Sequence, residues 1–103
     1  MKLRWMMGAL LLLAAMPLAA DDLSRLQAIL LDAQNDKVTI SSDVWRVSSK
    51  EAVTLANRIK GGSAAQNLRT HVREMRDAAL EGDVAGSRSH ASQALTFANQ
   101  LAK

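Results

Sequence analysis

Three side chains in the C-terminal half of this chain have the types and spacing to hold a metal ion: His71, Met75 and His90. His71 and Met75 stand four apart, so on a helix they share a face. Between Met75 and His90 runs Glu81-Gly82-Asp83, which reads as a tight turn joining two helices. Counting outward from Gly82, Met75 lies seven residues back and His90 eight forward. An antiparallel helical pair would therefore bring His90 towards Met75. Imidazole and thioether together suit copper and similar soft or borderline ions. The simpler reading makes Met75 part of the core and sets both histidines beside the helix interface. That reading is adopted here, with metal binding as the alternative.

Other chemistries have less to build on. The chain has no cysteine, which excludes disulfides, thiolate metal sites, cysteine nucleophiles and a lipoprotein acylation site. Serine, histidine and aspartate all occur, but no nucleophile stands in a recognisable turn. Gly61-Gly62-Ser63 precedes a helix yet lacks the lysine and spacing of a phosphate loop. No catalytic residue and no cofactor are assigned, and the chain is read as a non-enzyme. Aromatic residues make up 3%, too few for a base-stacking surface or an aromatic cage.

Two surfaces are candidates for partners. Arg69, Arg73 and Arg76 share one side of a helix, near Arg58 and Lys60 by the preceding turn. Such a face can attract lipid headgroups, acidic polymers or an acidic protein. The competing reading is a solvated face, with Arg73 paired to Asp77 four residues on and Glu74 and Glu81 diluting the charge. Trp45 is the other candidate. A lone tryptophan closes the end of a small core; if its surroundings are loose, it becomes an exposed anchor for a partner. Nucleic acid is not expected. The formal charge is +3, and without Lys2 and Arg4 eleven basic residues face ten acidic ones, a net +1.

Those two basic residues belong to an expected leader. Residues 1–20 read as a secretory signal peptide. Lys2 and Arg4 form the positive start, Trp5 to Met16 the apolar stretch, and Pro17-Leu18-Ala19-Ala20 the approach to the cut. An uncleaved membrane anchor is the alternative, although the apolar stretch is short for a span of about 20 residues. The short positive start is bacterial in style, so the expected destination is a periplasm.

Residues 21–103 then form one all-α domain, a small up-down bundle of four helices at about 22–35, 43–60, 63–81 and 83–102. Leu23, Leu26, Leu30 and Ala33 form an apolar stripe in the first, broadened by Ile29 and Leu31. Ser42 or Asp43 caps the second, with a rival start at Ser48. Ser63 and Gln66 have capping-box spacing for the third, whose stripe is Ala64, Leu68, Val72, Met75 and Ala79. Asp83 caps the fourth, whose stripe is Val84, Ala91, Leu95, Ala98 and Ala102, with Ala94, Phe97 and Leu101 beside it. Lys37 to Ser42 reads as an extended connector. A three-helix arrangement, with Lys37 to Ser49 irregular, is the alternative. The core is small and rich in alanine, which favours marginal stability as a monomer or stabilisation by self-association.

The stretch from Met75 to Gln100 resembles cytochrome b562-like bundles, chiefly at Met75-Arg76-Asp77-Ala78-Ala79-Leu80 and Glu81-Gly82-Asp83-Val84. The resemblance implies an exported four-helix architecture. In that family a methionine early in the first helix and a histidine late in the last hold haem. Gln27 and Ala102 stand at about those places here, so haem binding is not carried over. The expected function is non-enzymatic: a binding or structural protein that associates through helix faces with a protein partner or with itself. Contact with an anionic membrane surface would be weak.

Overall fold

In a computed structural model of the chain, residues 22–35 and 42–103 are described. The expected leader and most of the expected connector, residues 36–41, lie outside the described residues. The described residues are all-helical and compact. Helix α1 covers 22–32, α2 Asp43–Arg58, α3 Gly62–Glu81 and α4 Val84–Leu101. Because α2 is continuous from Asp43, the three-helix alternative with an irregular stretch to Ser49 does not hold.

Cross-helix contacts give the arrangement. Arg25 of α1 meets Glu51 of α2, and Asp22 meets Arg58, so these helices run antiparallel. Gln27 donates to Asn99, and Gln34 to the Arg88 carbonyl, so α1 also runs antiparallel to α4. Helix α3 packs on both α2 and α4, while α2 and α4 stand diagonally opposed. Among the described residues no helix is long and apolar enough to cross a membrane.

The ends of these helices follow from local chemistry. Ser42 accepts a hydrogen bond from the Trp45 N–H, which fixes the start of α2 and removes the need for the rival start at Ser48. Ile59 turns extended and ends α2 at Arg58. Helix α3 begins at Gly62, not after a Ser63 cap. Gly61 and Gly62 take φ of 141° and 70°, and no side chain caps the start. At the other end Gly82 is left-handed, and the Asp83 N–H returns to the Ala78 carbonyl at 2.8 Å. This is a Schellman closure, available cheaply to glycine at φ 79°. Asp83 then accepts from the Gly86 N–H and caps α4.

Large aliphatics from three helices meet small residues from the fourth. Leu26, Ile29, Leu30, Trp45, Leu55, Leu68, Val72 and Met75 are buried. Helix α4 contributes Ser87, Ala91, Ala94 and Ala98, all fully buried. Its inward stripe is therefore shifted from the expected one: Val84 and Ala102 are exposed and Leu95 is only partly buried. In α3 the buried alanine near the start is Ala65, with Ala64 half-buried, and in α1 Leu31 points outward.

Candidate functional site

Helices α3 and α4 pass each other with residue 75 level with residue 87, and residues 71 and 74 level with residue 90. That register follows from the Gly82 turn. It brings the two histidines together: His71 Nδ1 and His90 Nδ1 are 3.3 Å apart. The ring centroids are 5.6 Å apart with planes inclined by 29°. The excess over the nitrogen separation is about twice the radius of an imidazole ring, so the two Nδ1 atoms face each other nearly head-on. On the far side of His90, Nε2 lies 3.1 Å from Glu74 Oε2. Phe97 also packs on His71, with ring centroids 5.7 Å apart and planes nearly parallel.

The three polar groups thus form a compact cluster, with the Glu74 carboxylate beside the facing histidine nitrogens. Of the two facing Nδ1 atoms one donates and the other accepts, the roles set by the tautomers of the rings. Both histidines are half-buried and Glu74 is exposed at the edge. One ligand atom from each of the three residues can be chosen so that all lie within 4.8 Å of one another. The sequence reading paired the histidines with Met75. Met75 instead lies fully buried in the core, and its carbonyl accepts from Ser87 Oγ. Glu74 occupies the polar position beside the histidines. Mirroring the chain about Gly82 sets residue 74 opposite residue 90, so the register of the turn carries the signal for Glu74.

The other candidates separate. Trp45 is 2% exposed, and its indole Nε1–H donates to Ser87 Oγ at 2.9 Å. It is therefore not an exposed anchor in this fold, because a buried serine on α4 satisfies its one polar group. Arg69 donates from Nη1 to the Ile59 carbonyl at 2.6 Å and so stabilises the C-terminal end of α2. Arg76, not Arg73, pairs with Asp77. Arg58 meets Asp22. Of the expected basic face, Arg69, Arg73 and Lys60 have no ion pair among the described residues, and of these Arg69 is held by the Ile59 carbonyl. The face is mostly occupied by internal pairing.

A shallow cleft opens where α1 begins and α4 ends, lined by Leu23, Gln27, Ile59, Leu101 and Ala102 with Arg58 and Lys60 at its edge. Gln27 and Ala102 are the positions at which the resemblance would place haem ligands. The described lining has neither imidazole nor thioether, and the Gln27 amide is engaged by Asn99. These residues do not fit an axially held haem.

The opposite end differs. Among the described residues the exposed large apolar ones are Leu31, Val44, Val47, Leu80 and Val84. All belong to the end where α1 and α3 finish and α2 and α4 start. Exposed Asp32, Asp43, Glu81 and Asp83 belong to the same end. Comparison with family models, with curated proteins and with solved structures finds no match for this chain.

Proposed function

We propose that this is a small exported protein of non-enzymatic binding or structural role, which associates with a protein partner or a second copy through the apolar end of its helical bundle. One observation supports this above others. Val44 is 75% exposed, Val47 67%, Leu31 55%, Leu80 45% and Val84 38%, and all five belong to one end. Single exposed aliphatics are ordinary on a protein surface, but their concentration at one end is a mark of an interaction site. The acidic residues beside them favour a partner whose rim is basic. Export to a periplasm rests on the composition of residues 1–20. The basic side keeps Arg69, Arg73 and Lys60 without ion pairs among the described residues, a small positive patch that would hold an anionic membrane surface only weakly.

Self-association and partner binding are separated by one pair of measurements. Thermal melts over a hundredfold dilution report self-association, since a melting temperature that rises with concentration requires a folded oligomer. Affinity capture from an envelope fraction reports a partner. Val44→Lys/Leu80→Glu should abolish whichever effect is present while leaving the helical spectrum unchanged. A concentration-independent melt, together with capture that this variant leaves unaltered, contradicts the proposal.

A further inference from the structure

We infer that His71, Glu74 and His90 form a binding site for an imidazole-seeking transition-metal ion of the copper or zinc class, with both Nδ1 atoms and a Glu74 carboxylate oxygen as ligands. The inference is independent of association through the apolar end. It rests on how closely the three groups are gathered.

Two nitrogens about 2.0–2.1 Å from one zinc-like ion at a tetrahedral angle are separated by roughly 3.3 Å. The Nδ1 atoms of His71 and His90 already stand at 3.3 Å. In the metal-free state one proton fills the gap, donated by one ring and accepted by the other. A metal ion takes the place of that proton, with each ring turning modestly so that its lone pair converges on the ion instead of on its neighbour. The displaced proton moves to Nε2 of the ring that had donated it, so two neutral imidazoles take the ion with no net proton release. A more linear, low-coordinate ion would be accommodated by a small separation of the rings instead.

Glu74 supplies a third ligand: its carboxylate lies 3.1 Å from His90 Nε2, and one of its oxygens stands within 4.8 Å of a nitrogen of each histidine. Phe97, parallel to His71 at 5.7 Å, restricts the rotation of the second ring. Both rings are half-buried, so remaining coordination positions face water or an incoming small ligand. The two ligating helices are joined by the tight Gly82 turn, so the pair is held by a short closed hairpin and not by a long loop.

The test is a competition titration of the purified protein with Zn(II) and with Cu(II) against a chromophoric chelator, paired with ¹⁵N spectra of the imidazoles. One ion per chain is expected. His71→Ala, His90→Ala and Glu74→Gln should each weaken binding about tenfold or more. In the spectra both Nδ1 signals should shift, while His90 Nε2 stays protonated. Helical spectra of the variants check that each still folds. Equal binding by wild type and the His71→Ala/His90→Ala protein overturns the site. Coordination through His90 Nε2, or a Glu74→Gln protein that binds as tightly as wild type, overturns the assigned ligand set.

Discussion

Trp45 on α2 and Ser87 on α4 are joined across the diagonal of the bundle, the indole N–H donating to the serine hydroxyl at 2.9 Å. The hydroxyl in turn donates to the Met75 carbonyl on α3 at 3.1 Å. Both side chains are almost fully buried. One small hydroxyl thus ties three helices together at the level just inside the apolar end. It also satisfies the only polar atom of the largest core side chain.

The two buried serines should respond oppositely to alanine. Ser87→Ala leaves the Trp45 N–H buried and unpaired, and should cost about 1–3 kcal/mol. Ser49 is equally buried, yet its hydroxyl finds no partner among the described residues. Ser49→Ala removes a desolvated polar group from mid-helix and improves helix propensity, so it should stabilise by about 1 kcal/mol. Urea unfolding of the two variants checks both signs. Equal effects would mean that the hydroxyls are not in the environments described.

Gly86 and Asp83 should be coupled. A Cβ on Gly86 would fall 2.8 Å from Asp83 Cγ and closer still to its Oδ2, so the capping carboxylate must move. Gly86→Ala alone therefore trades a propensity gain of about 1 kcal/mol against a cap of similar worth, and should be near neutral. In an Asp83→Ala background no cap remains to be lost. There Gly86→Ala should stabilise by about 1 kcal/mol. A double-mutant cycle by thermal unfolding measures the difference, and additivity would contradict the geometry.

The helical architecture is readable in the sequence because its signals are local. Apolar residues recur at spacings of three and four, Gly82 supplies a left-handed stop, and Asp83 follows as a cap. The inward face of α4 was harder to place. Its core residues are alanines and a serine, and alanine occurs on both faces, so the pattern hardly separates inside from outside. Ser87 was missed for the same reason: a hydroxyl reads as surface until its partners on other helices are known. The histidine pair was half legible. The turn set the register, but which neighbour of His90 is polar and which is core depends on the rotation of α3, and that is decided by packing against α2.

The Arg25–Glu51 pair links stability to pH in a defined direction. The hydrogen bond from Arg25 is the main cause that holds the Glu51 carboxyl below its ordinary range. A folded value below the unfolded one stabilises the fold at pH above the unfolded value, and the contribution fades as pH falls through the folded value. Both side chains are largely solvated, so salt should weaken the effect. Glu51→Gln should therefore be less stable than wild type at pH 7 and low salt. The difference should shrink below about pH 4 and in strong salt. A difference that grows on acidification would contradict the pairing.

The account stands or falls on which end of the bundle meets another protein. A photo-crosslinking side chain at position 47, on the apolar end, and another at position 100, exposed near the opposite end, ask this directly in the native cell. The account predicts a discrete higher-mass adduct from position 47, either a dimer of this chain or one partner, and none from position 100. An adduct from position 100 with silence at position 47 would contradict it.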